Sequence, residues 1–253
     1  MSALTVTDAG GVRTITLDRP ARLNAIDLDM IDRFEVALTS AQGDEAVRCI
    51  LLRGAGRAFC AGDDMDAQEE ICRSGELALR RQLASLQHIS ELLTLGRQPV
   101  ICAIQGWAVG AGFSWVVNCD FRLWSANAVG FFPEIGYGTF VTGGVTSLLP
   151  QAVGPALAAD LLLRGTRLGA DAALQNGLAH AVHDESTLDA AAAALATQLA
   201  ALPILAVQSA KAALRSVIAP AFRAALASEA ETCISVMMDP ATMSRMRAGV
   251  AGA

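Results

Sequence analysis

Two short segments near the beginning of the chain alternate apolar and polar residues. They are Leu4–Thr7 and Val12–Leu17, and they flank the turn sequence Asp8-Ala-Gly-Gly11. Alternation with a period of two places the apolar side chains on one face of a strand, and a short Asp/Gly turn is typical of the link between two antiparallel strands. The pattern therefore predicts a β-hairpin at this end of the chain.

Helical and strand patterns then alternate. Asp27 precedes apolar residues that recur every three or four positions, and it predicts the N-cap of a helix. Two continuous apolar runs, Cys49–Arg53 and Pro99–Gln105, are typical of parallel strands buried on both faces. A helix is predicted at Val109–Asn118 and a further strand at Asp120–Ser125. Because strands and helices alternate, the sequence predicts an α/β fold of stacked strand–helix units.

The strand signal fades after Phe132, and the chain is rich in Ala and Leu and predicted to be helical from there to the end. We therefore expect an α/β core over residues 1–190 and a helical segment over residues 191–253 that is suited to contacts between subunits. The three tryptophans are predicted to be core residues: Trp107, Trp115 and Trp124.

The composition narrows the classes of function. Hydrophobic residues make up 53% of the 253 residues and charged residues 17%, which is typical of a globular chain with a large core. The formal net charge is −6 and the basic residues are scattered, so neither nucleic acid nor an anionic membrane is expected as a partner. The absence of a signal peptide and of a long apolar span predicts a cytoplasmic protein. The six cysteines form no CxxC motif or Cys/His cluster, so reduced thiols and no metal site are expected.

Two glycine-rich segments each follow a predicted buried strand. They are Arg57–Met65 and Gly106–Phe113. Small residues let a ligand approach the backbone closely, and a helix N-terminus presents free N–H groups. Two such loops on neighbouring strands can supply two N–H donors to one oxygen, which stabilises negative charge on that oxygen. The alternative is that both loops are only tight connections between a strand and a helix, with no catalytic role. A dinucleotide-binding role is not expected for the second loop, because the spacing of its glycines does not fit that motif.

Together with three further motifs, these loops resemble the enoyl-CoA hydratase/isomerase (crotonase) family over roughly residues 12–182. The motifs, in chain order, are Asp18–Ala25, Val47–Asp64, Pro99–Asp120, Phe132–Gly136 and Gly165–Leu168 through Gly177-Leu178. The resemblance implies a crotonase-like spiral of ββα units with a helical C-terminal region. It also implies an acyl-CoA substrate, no cofactor apart from the CoA of that substrate, and a homotrimer or a dimer of trimers.

The resemblance also assigns roles to single residues. It implies that the amides of Asp63 and Ala111 hold the thioester oxygen, although the family usually has Gly at the position of Ala111, and that Glu134 is one of the family's two catalytic glutamates. Asp64 is as well suited to orienting its loop as to touching substrate. The residues expected to bind substrate are Arg22, Leu23, Ala25, Ala61, Gly62, Asp64, Met65, Gly110, Pro133 and Tyr137.

The carboxylates bear on which reaction is expected. Glu134 has an apolar sequence setting, where desolvation raises a carboxyl pKa towards a value useful for proton transfer. The family's second glutamate is absent, because its position is Ser114, which either helps to hold a water molecule or is a plain helical hydroxyl. One carboxylate suits the movement of one proton between carbons, so double-bond isomerisation is expected. Hydration by Glu134 and water is the alternative, with thioester hydrolysis, C–C cleavage and a catalytically silent binding subunit also open.

Overall fold

The computed structural model describes residues 3–242. The strands within this range are β1 (Leu4–Ala9), β2 (Val12–Leu17), β3 (Cys49–Gly54), β4 (Val100–Ile104), β5 (Trp107–Val109), β6 (Phe121–Ser125), β7 (Val129–Phe131), β8 (Leu168–Gly169) and β9 (Ala181–His183). The helices are α1 (Leu28–Gly43), α2 (Met65–Arg73), α3 (Glu76–Leu95), α4 (Ala111–Asn118), α5 (Glu134–Tyr137), α6 (Val145–Val153), α7 (Pro155–Arg164), α8 (Ala170–Gln175), α9 (Glu185–Ala201), α10 (Ile204–Ser216) and α11 (Ala219–Met237).

The strands form two sheets. The larger has the order β1-β2-β3-β4-β6-β9, in which β1 and β2 are antiparallel and every later neighbour is parallel. The predicted hairpin is confirmed, with Leu4 opposite Leu17. The smaller sheet has the order β5-β7-β8 and mixes parallel and antiparallel pairs. The predicted α/β class is therefore confirmed, as a mixed sheet with a helical C-terminal region.

Helices cover both faces of the larger sheet. Ile50 and Leu52 of β3 face a cluster that includes side chains of α1 and α3, whereas Cys49 and Leu51 face a second cluster that includes alanines of α9. This is the burial on both faces that a continuous apolar run indicates. The predicted cap is also present, since the Asp27 side chain accepts a hydrogen bond from the Met30 N–H at 2.9 Å.

Two expectations about the later part of the chain are wrong. The chain is not helical throughout after Phe132, because β8 and β9 add short strands to the two sheets. Trp107 is not a core residue: 37% of it is exposed, and the Arg167 guanidinium lies 5.4 Å from the centre of its ring. It lies on β5 of the smaller sheet, where its ring packs edge-on against Phe131 of the neighbouring strand β7 and is not covered by the core. Trp115 and Trp124 are buried as predicted.

The expected division at residue 190 stays a prediction. The boundary falls inside α9, and residues 243–253 of the helical segment lie outside the described residues. No single helix of the described part is long and apolar enough to cross a membrane, while α9 and α10, bent by 106° at their junction, pass that test only as a pair.

One buried ion pair joins α10 to the sheet. Lys211, the only lysine of the sequence, donates hydrogen bonds to the carbonyls of Leu93 and Gln98 and to the carboxylate of Asp120 at 2.7 Å. Arg215 binds the other oxygen of that carboxylate at 2.8 Å. All three donor sites of the ammonium group are used inside the protein, so Lys211 is a structural residue.

Candidate active site

The first glycine-rich loop is fixed against the second by backbone hydrogen bonds. The Cys60 N–H donates to the Trp107 carbonyl at 2.9 Å, and the Val109 N–H donates to the Cys60 carbonyl at 2.9 Å. Gly62 has a φ of +86°, and a Cβ there would lie 2.9 Å from the Val109 carbonyl oxygen. Only glycine tolerates both this backbone conformation and this contact. The two loops therefore meet side by side, as their positions after neighbouring strands predicted.

The two amides implied by the family resemblance are unpaired. Neither the N–H of Asp63 nor that of Ala111 donates a hydrogen bond to another described residue. Ala111 is the first residue of α4, where helical geometry leaves the N–H groups free. Both residues line one cavity of about 60 Å³, called here the smaller cavity. The geometry therefore places two free backbone donors at the wall of a cavity.

Glu134 lies against the second loop. It is the first residue of α5, and its Oε1 would be only 2.9 Å from a Cβ at Gly110, so a larger residue at 110 would collide with the carboxylate. Burial, with a smaller contribution from the nearby negative charge of Asp63, raises the pKa of Glu134 to about 8. Glu134 Oε2 is buried and has no hydrogen-bond partner among the described residues. This carboxyl group is free to accept or donate a proton near neutral pH.

The site lies where two cavities meet. A larger cavity of about 210 Å³ adjoins the smaller one, and both are lined by Asp63, Met65, Glu134, Tyr137 and Thr139. Of the residues predicted from the sequence, the structure brings nine to these walls: Ala61, Gly62, Asp63, Met65, Gly110, Ala111, Pro133, Glu134 and Tyr137.

Four predicted substrate-binding residues do not line either cavity. Arg22 and Leu23 contact the first loop and Asp64 belongs to it, while the part of all four residues in substrate binding stays a prediction. The Leu23 carbonyl accepts the Ala61 N–H at 2.9 Å, within the segment that also holds Ala25. Arg22, whose side chain is half exposed, contacts Asp64 at 3.0 Å. Asp64 is buried and caps α2 by accepting the Asp66 N–H, which agrees with the loop-orienting role considered for it.

Ser114 points away from the site. It is buried, its hydroxyl donates to the Gly110 carbonyl at 3.3 Å, and it does not line either cavity. A hydroxyl bonded back to the preceding turn of its own helix is an ordinary arrangement for serine in a helix. The Ser114 hydroxyl is therefore engaged within its own helix and lies outside the walls of both cavities.

Sequence reasoning missed the far wall of the smaller cavity, which three helices supply. The residues that line it are Gln68 of α2, Gln82, Leu83 and Leu86 of α3, and Cys233 and Met237 of α11. The Gln82 side-chain amide donates to the Gln68 side-chain oxygen at 3.0 Å. These residues lie in ordinary amphipathic helices. A helix face that lines a cavity and one that packs in the core show the same pattern of apolar and polar residues, so the sequence does not distinguish them.

The comparisons with known proteins agree with this geometry. The family model described as enoyl-CoA hydratase/isomerase matches residues 7–245. The chain is 34% identical to the 1,2-epoxyphenylacetyl-CoA isomerase of Escherichia coli K12 over 195 residues, which are 76% of this chain and 74% of that relative. It is also 34% identical over 206 residues to a probable enoyl-CoA hydratase of Mycobacterium tuberculosis, covering 81% of this chain and 79% of that relative.

Solved structures show the same fold. An enoyl-CoA hydratase/isomerase from Mycobacterium paratuberculosis superposes with a TM-score of 0.93 at 28% identity, covering 98% of each chain. A second, from Xanthobacter autotrophicus Py2, gives a TM-score of 0.90 at 28% identity, covering 99% of this chain and 97% of that one. These matches confirm the predicted crotonase fold. With the family model spanning nearly the whole chain, this protein belongs to the enoyl-CoA hydratase/isomerase family of acyl-CoA enzymes.

Proposed function

We propose that this enzyme enolises a CoA thioester and shifts its double bond. The observation that carries the proposal is the position of Glu134. Its carboxyl group lies against Gly110, has Oε2 unpaired among the described residues, and shares the smaller cavity with the free amides of Asp63 and Ala111. An acyl-CoA bound with its thioester oxygen at these two amides presents the adjacent carbon atoms to the carboxyl group. CoA enters only as part of the substrate, with no metal or redox cofactor.

The two amides lower the cost of proton removal. When a proton leaves the carbon next to the thioester, negative charge moves to the thioester oxygen, and each fixed donor there typically contributes about 3 kcal/mol to lowering the barrier. Ala111 supplies its N–H as a glycine would, since only the side chain differs. Glu134 then moves the proton, because burial brings its pKa into the neutral range.

Hydration is the second candidate reaction. Several relatives are named enoyl-CoA hydratases, and a second carboxyl group, that of Asp63, lines the cavities beside Glu134. Isomerisation is preferred because Ser114 stands at the position of the family's second glutamate and its hydroxyl is bonded to Gly110 outside the cavity walls. Retention of both loops and of Glu134 favours an enzyme over a silent binding subunit.

A panel of 2-enoyl and 3-enoyl thioesters in D₂O tests the reaction. Isomerisation moves the double bond without adding water, whereas hydration gives a hydroxyacyl product. Glu134→Gln keeps the shape of the side chain but cannot accept a proton, so it should lower kcat by at least ~10²-fold and leave thioester binding nearly unchanged by calorimetry.

Ser114→Ala is the matched control for that measurement. Since the hydroxyl lies outside both cavities, the variant should change kcat by less than ~10-fold, a loss well below that of a positioned acid–base group. Full activity of Glu134→Gln on every thioester that the wild type converts would contradict the assignment. Clear binding of NADH without binding of any acyl-CoA would contradict the substrate class.

A further inference from the structure

The side chain of Asp63 has no partner that explains its burial. Asp63 Oδ1 is buried and accepts no hydrogen bond from the described residues, and burial raises the pKa of this carboxyl group to about 6. The carboxylate of the next residue, Asp64, is also buried, but it receives hydrogen bonds from Arg19 and Arg22 at 3.0 Å each. A buried carboxylate that serves only the fold is normally paired in this way. Asp63 therefore needs another explanation.

The unpaired oxygen of Asp63 belongs to the same site as that of Glu134. Both residues line both cavities, and their charges act on each other. The other titratable residues on these walls are Tyr137 from α5 and Cys233 from α11, and no basic side chain lines either cavity within the described residues. Burial raises the pKa of Cys233 to about 12, so this thiol stays neutral. Two carboxyl groups thus face one space with no counter-ion.

We propose that the side chain of Asp63 is a second catalytic acid–base group, which works with Glu134 on the two carbons between which the double bond moves. The inference rests on the proposed function and deepens it, because the backbone of Asp63 holds the thioester oxygen while its carboxylate takes part in proton transfer. In this way the first loop supplies the second carboxylate that position 114 lacks.

The steps balance for a 3-enoyl thioester. The Asp63 carboxylate takes a proton from the α-carbon, so that the C–H bond breaks and its electron pair enters the dienolate held at the two amides. The Glu134 carboxyl group then gives its proton to the γ-carbon, and the dienolate electrons form the 2,3 double bond. One proton has left the substrate and one has entered it. Exchange with water returns the proton from Asp63 to Glu134.

The division of roles follows from the surroundings of the two groups. Two interacting carboxyl groups titrate as a pair. Burial raises the pKa of Asp63 to about 6 and that of Glu134 to about 8, so the first proton leaves mainly from Asp63 and the second mainly from Glu134. Near pH 7 the pair therefore holds one proton, on Glu134, which leaves Asp63 as the base. This arrangement predicts a bell-shaped dependence of kcat/KM on pH with limbs near these two values. A site in which Glu134 alone is the base predicts a single rise through about 8.

Three substitutions at position 63 separate the side chain from the amide, since each keeps the backbone N–H. Asp63→Asn and Asp63→Ala should lower kcat at least ~10-fold with KM changed less than ~3-fold, a smaller loss than the usual range for a positioned group because Glu134 remains. Both should lose the acid limb of the pH profile. Asp63→Glu should retain more activity than either. Asp29→Asn, an exposed carboxylate on α1, is the matched control and should behave as wild type.

An isotope experiment distinguishes one group from two. With a 3-enoyl thioester deuterated at the α-carbon, the wild type in H₂O should place a solvent hydrogen at the γ-carbon, because the proton removed and the proton delivered sit on different groups. A single shuttling carboxylate would carry part of the deuterium to that carbon. Substantial transfer of deuterium by the wild type, or an unchanged kcat and pH profile of Asp63→Asn, would overturn the inference.

The proposed function and this inference fail in different ways. If Glu134→Gln is inactive while Asp63→Asn equals the wild type, Glu134 works alone and only the inference is lost. If the wild type converts no thioester, the proposed function is lost. Titration of the carboxyl groups by ¹³C NMR, which needs no turnover, then tests whether Asp63 and Glu134 interact. Asp63→Asn should lower the pKa of Glu134, because it removes a nearby negative charge. An unchanged Glu134 titration would show that the two groups do not form a pair.

Discussion

Asp63 and Asp64 are adjacent in sequence and have opposite electrostatic surroundings. Burial acts to raise the pKa of both, but the hydrogen bonds and charges of Arg19 and Arg22 outweigh it at Asp64 and lower the pKa there. Asp63 has no such neighbour within residues 3–242. Partners rather than residue type decide whether a carboxyl group stabilises the loop or stays available for chemistry.

Burying unpaired carboxyl groups has a cost in stability that depends on pH. The pKa of Glu134 in the folded protein, about 8, lies above the ordinary 4.5. Folding therefore favours the protonated form of Glu134, and the contribution of this residue to stability falls as the pH rises from about 4.5 through about 8. Glu134→Gln cannot ionise and escapes this loss.

Glu134→Gln should therefore become more stable than the wild type at alkaline pH. Between pH 5 and pH 9 the variant should gain about 2 kcal/mol relative to the wild type, a figure reduced from the full shift because the residue is partly exposed to solvent. Denaturant unfolding of both proteins at the two pH values measures this difference. Parallel stability curves would show that Glu134 ionises as readily in the folded protein as in the unfolded chain.

The sequence allowed part of this site to be predicted. Glu134 could be found because its apolar sequence neighbours and the family motif agree, and the structure places it at both cavities. The free side chain of Asp63 could not, since the motif concerns only the backbone of that residue and the direction of a loop side chain depends on tertiary contacts. Arg22 was expected at the substrate, but its position beside Asp64 depends on a contact between residues 42 apart.

At the scale of elements, α11 holds the beginning of α6 in place. Glu229 of α11 is buried, and its carboxylate accepts hydrogen bonds from the N–H groups of Gly144 and Thr146 and from the Thr146 hydroxyl. A carboxylate at a helix N-terminus pairs with N–H groups that the helix itself leaves free. Because Cys233 lies one helical turn beyond Glu229, the same contact fixes the wall of the smaller cavity.

Replacing this carboxylate should loosen both the fold and the site. Glu229→Gln places an amide N–H₂ group against backbone donors and should lower the free energy of unfolding by about 1–3 kcal/mol, the range for a buried hydrogen bond to a charged group. Thermal unfolding with a calorimeter checks the loss. Glu231→Gln, an exposed position on the same helix, should change stability by less than about 0.5 kcal/mol. Equal stability of the two variants would contradict the role assigned to Glu229.

Which elements the sequence predicts depends on their length. The hairpin β1–β2, the capped helix α1 and the buried strands β3 and β4 are five residues or longer and carry a clear period. Strands β8 and β9 have two and three residues, too few for alternation to be distinguished from the Ala/Leu pattern around them. They form because β8 pairs with β7 and β9 pairs with β6, so each short strand is held by an existing sheet.

At the scale of the whole molecule, α10 exposes apolar surface. Of its thirteen residues only Lys211 is buried, while Leu205 and Leu214 are each more than three-quarters exposed, as is Val217 directly after the helix. A cavity of about 620 Å³ lies beside it, lined by residues of α6 and α10 together with residues around the beginning of β6. Large exposed apolar side chains such as the neighbouring Leu214 and Val217 are typical of a surface that contacts another subunit. It supports the proposal of a homotrimer or a dimer of trimers.

Light scattering at micromolar concentration should give three or six times the mass of one chain. The double variant Leu214→Glu and Val217→Glu should reduce that mass, because charged side chains are costly to bury between subunits. Val36→Glu, which changes an apolar residue on α1 that is two-thirds exposed, should not. A wild-type protein that is monomeric under these conditions would rule out the assembly.

The buried position of Lys211 has a chemical consequence for an enzyme that handles thioesters. Thioesters acylate exposed lysine amines spontaneously, and the acyl group once transferred as an amide is not easily removed. Here the only lysine of the chain is held by two carbonyls and a carboxylate beneath α10, and burial lowers its pKa while Asp120 opposes that shift. The protein therefore offers its own reactive substrate no lysine side chain to modify for as long as α10 stays docked.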